Sequence, residues 1–360
     1  MSKIRIGIIG CGGIAFGKHL SGLSKCKDAE LAAFCDIITE RAEKAKKEYG
    51  SENSLVYSDY KELLKNPDID VVHVCTPNRE HSFITVDALE AGKDVYCEKP
   101  MAINYEEALK MYEASERTGR LLTIGYQNRQ TDENLFAKEI CKSGRLGDIY
   151  YAKTLAVRRR AVPNWGVFLN DYEQGGGPLI DIATHALDLT LWMTENYEPE
   201  MCVGRTFRKL ADSSPENQGN CWGAWDPEKY KVEDSAFAFV TMKNGAVINL
   251  ESSWALNLAD PKEATFALCG TKGGIDTFDG VRINFIDGGR QVIEKPDLNA
   301  GGAAYFDGVK TSATELDMHR WLKAVETKTK PCVLPEQALT VTKILDGIYK
   351  SAESGRPYYF

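Results

Sequence analysis

The chain has 360 residues, with 44 basic and 52 acidic side chains and a formal net charge of −8. This excess of acid argues against a nucleic-acid or an anionic-membrane partner. The length fits about two domains with separate cores, and no apolar run reaches the length of a membrane span. The first strand begins within a few residues of Met1 and no signal peptide precedes it, so we expect a cytoplasmic protein.

The ten cysteines are scattered along the chain. They form no C-x-x-C pair and no His/Cys spacing typical of zinc. Several stand in apolar runs, where a reduced thiol packs as a small hydrophobic group. We therefore expect neither a disulfide framework nor a metal site.

The first third of the sequence alternates short apolar runs with helix-compatible stretches. The runs predict strands at residues 4–9, 30–35, 70–75, 93–97 and 121–125, with a shorter one near 55. Helices are predicted between them, up to residue 26 and at 38–49, 59–65, 81–91 and 104–118. This alternation is typical of a doubly wound parallel α/β sheet. We expect it to form a first domain over residues 1–126.

A glycine turn follows the first predicted strand. Residues 10–15 have the form G-x-G-x-x-A, in which Gly10 permits a tight turn, Gly12 lets the backbone approach a pyrophosphate and Ala15 allows the helix to pack on the strand. Gly13 and Ile14 belong to the same turn, and the following helix N-terminus can carry the phosphate charge.

Asp36 ends the second predicted strand, roughly 20 residues beyond the turn, as a dinucleotide fold requires. A carboxylate there binds both ribose hydroxyls and repels a 2′-phosphate. The sequence therefore favours NAD over NADP.

Polar residues follow other strands of this domain. The most informative is Lys99 in Glu98-Lys99-Pro100, directly after strand 93–97. Ligands bind at the carboxyl edge of such a sheet, so a lysine there is a candidate for chemistry on a bound molecule. The further strand-end residues that we expect at the cofactor are Thr76, Asn78, His81, Glu98 and Gln127.

Beyond a helix at about 130–143, longer strand-like runs predominate. They predict strands at residues 149–157, 199–209, 235–242, 246–253, 264–269, 282–286 and 291–294. Intervening turns such as Lys243-Asn244-Gly245 favour antiparallel pairing, so we expect a second, α+β domain over residues 127–360. Two later helices, at about 312–326 and 336–353, are expected to pack on this sheet or reach back to the first domain. We expect the active site between the domains.

A predicted helix from Leu179 to Met193 carries three polar side chains on one face. Asp181, His185 and Asp188 stand at i, i+4 and i+7. The other positions are almost all apolar, which predicts a buried helix, and a polar stripe in it must be paired or line a cavity. An Asp/His pair that only fixes packing is the alternative. The nucleotide fold and Lys99 in the same chain favour a catalytic group.

These motifs, in their order and spacing, resemble those of the Gfo/Idh/MocA oxidoreductases. The resemblance covers essentially the whole chain and rests on the glycine turn, Thr76-Pro77-Asn78 with His81, Glu98-Lys99-Pro100 and the Asp181/His185 helix. It implies an NAD(P)-dependent sugar or polyol dehydrogenase with a Rossmann domain and an open-faced sheet domain. It also implies that Lys99, Asp181 and His185 form the catalytic group and that the Lys99–Pro100 bond is cis.

Oxidation of an alcohol removes a hydride as the hydroxyl proton leaves, so it needs a base and a group that stabilises the alkoxide. His185 is the preferred base because the usual pKa of histidine is near neutrality. Asp181 would orient it and bind a neighbouring hydroxyl, while Lys99 would donate to the reacting oxygen. The sequence leaves open whether Lys99 and His185 exchange these roles.

Basic and aromatic residues precede the triple glycine 175–177. A guanidinium can bind hydroxyls, and an indole can stack on a sugar ring, although a solvated basic edge is the alternative for the arginines. The residues that we expect to face the substrate, besides Lys99, Asp181 and His185, are Arg158, Arg160, Asn164 and Trp165. The segment 211–230 is predicted to be a long loop, and such loops are often lids or oligomer contacts.

The stretch from Arg158 to Asp181 is similar to a bacterial branch of the family that oxidises intact glycosides at the C3 hydroxyl, including C-glycoside 3-oxidising dehydrogenases. The similarity implies oxidation of a glucose-type ring to a 3-keto sugar, with myo-inositol 2-oxidation as the runner-up. Three other classes stay open: a cofactor-binding regulator, a glycoside hydrolase that uses NAD transiently, and a reductase of an imine or enal.

The predicted strands at 235–240 and 247–250 carry apolar residues on both of their faces. Such a sheet requires a cover on each side. We expect helices on one face and a partner subunit on the other, which predicts a homodimer or a higher homo-oligomer.

Overall fold

The computed structural model describes residues 3–213, 219–298 and 312–360. The chain divides into two compact units, one of Met1–Gln130 with Thr311–Leu339 and one of Thr131–Lys310 with Thr340–Phe360. No helix among the described residues has the length and apolarity that a membrane crossing requires.

The first unit is built on a six-stranded parallel sheet. Its strands are β1 (Ile4–Ile9), β2 (Ala29–Cys35), β3 (Leu55–Tyr57), β4 (Val71–Val74), β5 (Asp94–Cys97) and β6 (Leu122–Ile124), in the order β3-β2-β1-β4-β5-β6. The strand order reverses between β1 and β4, so the turns after these strands border the crevice in which such sheets bind ligands. The predicted doubly wound parallel sheet is confirmed.

Helices connect these strands at nearly the predicted positions. They are α1 (Ser21–Leu23), α2 (Thr39–Tyr49), α3 (Tyr60–Leu64), α4 (Asn78–Glu90) and α5 (Tyr105–Thr118), with a 3₁₀ turn at Gln127–Gln130. The first helix differs from the expected regular helix, because a π-helix at Ala15–Leu20 precedes α1. A π-helix widens the turn and is frequent at functional sites.

The second unit begins with α6 (Asp132–Lys142) and contains a nine-stranded mixed sheet. Its strands are β7 (Ile149–Val157), β8 (Pro199–Phe207), β9 (Ser235–Met242), β10 (Val247–Ser253), β11 (Thr265–Gly270), β12 (Gly273–Asp276), β13 (Arg282–Asp287), β14 (Arg290–Glu294) and β15 (Tyr358–Tyr359). The order is β14-β13-β12-β11-β7-β10-β9-β8-β15, with β7 and β10 parallel and the other described pairs antiparallel. The sequence pattern missed β12 and β15, which are too short to show an alternation.

Three helices follow β7: α7 (Asp171–Gln174), α8 (Pro178–Asp181) and α9 (Ala183–Thr194). The hydroxyls of Thr154 on β7 and Thr190 on α9 are 2.7 Å apart, and Ser252 on β10 donates to the carbonyl of Pro178 at 2.8 Å. These contacts assign α8 and α9 to one face of the sheet. Side chains along each strand alternate between the two faces. The opposite face therefore carries the exposed side chains Val203, Phe239, Ile286 and Ile293.

Two helices precede β15 near the end of the chain. The first, α10 (Ala313–Thr327), belongs to the first unit, where Met318, Trp321 and Val325 join the core around Phe34. Its Asp317 accepts a hydrogen bond of 2.5 Å from the Tyr96 hydroxyl on β5. The second is α11 (Pro335–Ser354), whose residues up to Leu339 belong to the first unit and those from Thr340 to the second.

Candidate active site

The glycine turn 10–15 lies at the point where the strand order reverses. Gly10 has φ +88°, and a Cβ there would lie 2.7 Å from the carbonyl atoms of Cys75, which follows β4. Only glycine therefore lets β1 turn this close to β4. Beside Gly12 and Gly13 the space that a Cβ would enter is open, and Ala15 is fully buried. Ile14 is exposed beside this turn.

Asp36 directly follows β2 and is buried. One carboxylate oxygen accepts the backbone N–H of Cys11 at 2.8 Å, and the other accepts that of Ile38 at 2.8 Å. These bonds orient the carboxylate beside the glycine turn and leave further lone pairs for ribose hydroxyls. The turn and this acid together fit a dinucleotide, which the open space at Gly12 and Gly13 can admit.

Glu98 is buried and ionised at the end of β5. Its Oε1 accepts from Lys18 Nζ at 2.6 Å and from His19 Nε2 at 2.8 Å. Burial alone would raise the pKa of Glu98, but the charge of Lys18 and the two donors outweigh this effect and hold the pKa well below its usual value. Lys18 and His19 are consecutive, and the wide turn of the π-helix lets both reach the same oxygen.

Two neutral histidines extend this network. His19 Nδ1 and His73 Nδ1 are 2.7 Å apart, and the His73 ring stacks on Tyr96 at 4.9 Å. Burial lowers the pKa of His19 and lowers that of His73 further. An ionised Glu98 can only accept hydrogen bonds, so neutral His19 must carry its proton on Nε2. The Nδ1 of His19 then accepts a hydrogen bond from the Nδ1–H of His73. Sequence analysis missed Lys18, His19 and His73, which had no motif to mark them.

His81 lies between the loop after β4 and the loop after β5. Its ring nitrogens face the carbonyl oxygen of Thr76 at 2.9 Å and that of Pro100 at 2.8 Å. The ring is buried and burial lowers its pKa, so a neutral His81 donates its single N–H to one of these two carbonyls. Lys99, in the second loop, is partly exposed, and its peptide bond to Pro100 is cis, as the family resemblance implies.

The two remaining amides predicted at the cofactor lie in the same unit. Asn78 is the first residue of α4 and is buried. Gln127 is partly exposed, and its Oε1 accepts from Lys18 Nζ at 3.0 Å. Lys18 therefore connects Glu98 with Gln127, so both predicted cofactor contacts depend on one buried cation.

The second unit carries Asp181 and His185, but not on the single helix that the sequence predicts. The helix breaks at Ile182, which has φ −110°, so Asp181 ends α8 and His185 lies in the first turn of α9. The N–H of His185 donates to the carbonyl of Ile182 at 3.2 Å, a tighter step than the α-helical one. Asp188 is buried further along α9.

Glu233 anchors the start of α8. Its carboxylate accepts the N–H groups of Gly177 and Leu179 at 2.8 and 3.1 Å and the Tyr349 hydroxyl at 2.8 Å. Burial raises the pKa of Glu233 although these donors oppose the rise. A Cβ on Gly177 would lie 2.1 Å from the Glu233 carbonyl oxygen, and one on Gly176 2.1 Å from the Tyr349 hydroxyl. Gly176 and Gly177 are therefore needed for this close approach.

Trp254 holds Asp181. Its indole Nε1–H donates to Asp181 Oδ2 at 3.1 Å, and both side chains are buried. Sequence analysis missed Trp254, although it directly follows β10 and the strand-end criterion that selected Lys99 could have found it. This donor orients one oxygen of the carboxylate.

The two predicted arginines differ in their surroundings. Arg158 donates from Nε to Glu263 at 2.7 Å, and its guanidinium carbon lies 5.4 Å from the Trp222 ring centroid. Burial disfavours the charged form of Arg158 and would lower its pKa. The hydrogen bond and charge of Glu263, and to a smaller extent the charge of Asp181, outweigh this effect and raise the pKa above its usual value. Arg160 instead donates to the Ala255 carbonyl at 2.9 Å and to Asn257 at 2.6 Å. Arg158 is therefore the arginine whose charge couples to Asp181.

Asn164 and Trp165 lie in the loop after these arginines. The Asn164 amide donates to the carbonyls of Trp222 and Ala224, at 2.7 and 2.8 Å. Trp165 is half-exposed beside Trp222. Part of the predicted loop 211–230, residues 214–218, lies outside the described residues, and in the described chain no group of His, Cys, Asp and Glu side chains could hold a metal ion.

Comparison with known proteins identifies the family of this chain. Residues 4–126 match the model described as "Oxidoreductase family, NAD-binding Rossmann fold", and residues 135–276 match the "GFO/IDH/MocA C-terminal domain". A curated relative, D-glucoside 3-dehydrogenase of Escherichia coli (strain K12), is 32% identical over 361 residues, which cover 98% of this chain and 97% of that protein. The chain belongs to the Gfo/Idh/MocA family. Its cofactor is NAD, as Asp36 predicts.

Other members of the Gfo/Idh/MocA family share the architecture. Levoglucosan dehydrogenase of Pseudarthrobacter phenanthrenivorans is 30% identical over 248 residues, 66% of this chain and 62% of that protein. The structure of aldose-aldose oxidoreductase from Caulobacter crescentus, complexed with glycerol, superposes with a TM-score of 0.80 at 25% identity and covers 99% of this chain and 100% of that one. The Gfo/Idh/MocA fold therefore spans both units.

The carboxylate of Asp36 is expected to select the cofactor. NAD should be preferred over NADP by well over tenfold in kcat/KM, a difference of more than about 1.4 kcal/mol, because a 2′-phosphate would face this charge. Asp36→Asn should narrow the preference, whereas Glu40→Ala, which removes an exposed carboxylate from α2, should leave it. Equal or better turnover of the wild-type enzyme with NADP would contradict the assignment.

The buried histidines are expected to make stability depend on pH. The pKa values of His19, His73 and His81 are lowered by burial, so below about pH 6.5 the unfolded chain binds protons that the folded chain does not. Stability is therefore full above that pH and falls as the pH drops, by up to about 1.4 kcal/mol per pH unit for each histidine.

Urea unfolding between pH 5.5 and 7.5 measures this loss of stability on acidification. His73→Asn keeps a side-chain N–H for His19 but removes one titrating ring, so its stability should fall less steeply with acid than that of the wild-type protein. The charged and titratable groups around His73 are Lys18, His19 and Glu98, and all stay in the variant. A variant with the wild-type slope would show that His73 is protonated to the same extent in both states.

Proposed function

We propose that this enzyme oxidises a secondary hydroxyl of a glucose-type ring, free or glycosidic, at C3 to give a 3-keto sugar. The observation that carries the proposal is the buried Asp181 carboxylate, which Trp254 holds at the end of α8, directly before the helix α9 that bears His185. The similarity to D-glucoside 3-dehydrogenase over nearly the whole chain supports the choice of substrate class. A carboxylate beside an imidazole suits a ring that offers adjacent hydroxyls.

The reaction removes one proton and one hydride from the same carbinol. NAD supplies the hydride acceptor when it is bound. We assign His185 as the base that takes the hydroxyl proton, and Asp181 as the acceptor of a neighbouring hydroxyl that also orients His185. Lys99 donates to the reacting oxygen and stabilises its developing charge. The C–H electron pair leaves with the hydride, and a ketone remains.

Several anchors support the precision that this reaction needs. Trp254 binds one oxygen of Asp181, and Glu233 holds the backbone of α8 through two N–H groups. Proximity and orientation supply much of an enzyme's rate, so a carboxylate fixed from two sides suits the proposed role. Arg158, Arg160, Asn164 and Trp165 remain the proposed substrate contacts, with Arg158 favoured because its charge couples to Asp181.

We expect glucosides to be converted to 3-keto products with stoichiometric formation of NADH. The enzyme is incubated with NAD and glucose, methyl β-D-glucoside or myo-inositol, and the ketone position is assigned by NMR. A ketone on inositol alone would replace the glycoside assignment by inositol 2-oxidation. Release of an aglycone without net NADH would indicate the hydrolase, and no turnover of any substrate would favour a regulator.

Lys99→Ala and His185→Ala, tested separately, are each expected to lower kcat by at least about a hundredfold, the usual scale for the loss of an acid/base group. Binding of NADH should change little. The matched control is Lys93→Met at the opposite end of β5, where Lys93 donates to the carbonyls of Asn66 and Ile69 and lies away from the strand's carboxyl edge. A variant that keeps more than a tenth of the wild-type kcat would remove that residue from the mechanism.

We also propose a homodimer or larger homo-oligomer through the sheet face opposite α8 and α9. The exposed Val203, Phe239, Ile286 and Ile293 on that face support it. Light scattering should give at least twice the chain mass of 40.0 kDa. Phe239→Asp should lower this mass, whereas Phe83→Asp, at a similarly exposed phenylalanine of α4, should not. A wild-type mass of one chain at micromolar concentration would contradict the proposal.

A cytoplasmic location is the setting that we propose for this enzyme. All ten cysteines are free thiols, and most of them are buried. Unpaired cysteines are typical of a reducing compartment, in which NAD is also available to the reaction.

A further inference from the structure

Two exposed tryptophans form a corner on the surface of the second unit. The ring centroids of Trp165 and Trp222 are 4.8 Å apart and their planes stand at 90°. Phe168 packs against Trp165 at 5.6 Å. Trp165 is 48% exposed and Trp222 is 43% exposed. Indoles usually bury most of their area, so this pair offers an apolar surface that fits a further ring.

Hydrogen bonds fix the corner before any ligand arrives. Asn164, next to Trp165, donates to the carbonyl oxygens of Trp222 and Ala224. Asn220 accepts the N–H of Val162 at 2.8 Å and donates to its carbonyl at 3.0 Å. These bonds tie residues 220–224 to residues 162–165, so this part of the predicted loop 211–230 is anchored. A pre-organised surface loses less entropy on binding than a mobile one.

Arg158 connects the corner with the proposed reaction centre. Its guanidinium lies 5.4 Å from the Trp222 ring, and Glu263 holds it through an ion pair. The backbone N–H of Arg158 donates to the carbonyl of Ser253 at 2.7 Å, and that of Ala161 donates to the carbonyl of Trp254 at 2.9 Å. Trp254 in turn binds Asp181 through its indole N–H. The segment that leads to the corner is therefore joined to the residue that holds Asp181, a position that suits a group attached to the oxidised sugar.

We propose that Trp165 and Trp222 form a subsite for an aromatic aglycone carried by the glycoside substrate. The inference rests on the proposed function, in which Asp181 and His185 bind the sugar ring. A flat aglycone that stacks on one indole presents its edge to the other, because the two planes are perpendicular, and both are favoured geometries for aromatic pairs. The guanidinium of Arg158 adds an attraction for an electron-rich ring.

The test compares two substrates that differ only in the aglycone, phenyl β-D-glucoside and methyl β-D-glucoside. The wild-type enzyme should favour the phenyl compound in kcat/KM, mainly through a lower KM, and Trp222→Ala should reduce this preference by about tenfold. Trp222→Phe, which keeps an aromatic ring, should restore most of it. Tyr150→Ala is the control, since Tyr150 is 57% exposed at the start of β7, roughly 26 Å along the strand from Arg158, and it should leave the preference unchanged.

Three results would overturn the subsite. One is an equal loss on both glucosides in Trp222→Ala, which would assign Trp222 to the sugar ring or to folding. Another is an unchanged preference in that variant. The third is a lower mass of Trp222→Ala in light scattering, which would identify the corner as a contact between copies of the chain.

A calorimetric titration separates this inference from the proposed function. If the wild-type enzyme oxidises neither glucoside, the proposed function fails, but binding of the two glucosides to the NADH-loaded enzyme still measures the subsite. Tighter binding of the phenyl compound that Trp222→Ala abolishes would support the subsite. Equal binding of the two compounds would reject it.

Discussion

An ionised carboxylate in a dry interior requires donors for its oxygens, and Glu98 meets this requirement in a way that organises the first unit. Its oxygen binds Lys18 and His19 from the helix after the glycine turn, and His19 in turn binds His73 from β4. Lys18 also reaches the carbonyl of Gly125 after β6. A single charge therefore connects four segments at the carboxyl edge of the sheet. Buried ion pairs add little net stability, and here the pair sets the geometry of the segment that carries Lys99.

In the second unit another carboxylate, that of Glu233, organises the chain around it by accepting hydrogen bonds. Glu233 replaces a side-chain cap at the start of α8 by accepting the N–H groups of Gly177 and Leu179. An anion is favourable at a helix N-terminus because the free N–H groups and the helix dipole point toward it. The backbone can come this close to Glu233 only because residues 176 and 177 lack side chains. Asp181, at the other end of this short helix, then meets the Trp254 indole.

The acidic residues of the candidate site fall into two groups, according to what they bind. Asp36, Glu98 and Glu233 accept hydrogen bonds from backbone or from buried cations, and they hold loops and helices in place. Asp181 accepts a hydrogen bond from the indole N–H of Trp254 and interacts with the charge of Arg158. The acids that hold backbone segments are therefore distinct from the one that we propose as the acceptor of a substrate hydroxyl.

The sequence by itself determined the fold class, the cofactor and the motif residues, because these depend on local patterns. Apolar alternation identified both sheets, the glycine turn with Asp36 identified NAD, and strand ends identified Lys99. Tertiary structure alone decided how the site is held. Lys18 is 80 residues from Glu98, and Glu233 is 56 residues from Gly177, so no local spacing links them. The break at Ile182 follows α8, which Glu233 and Trp254 hold at its two ends, and periodicity cannot register partners that arrive from distant parts of the chain.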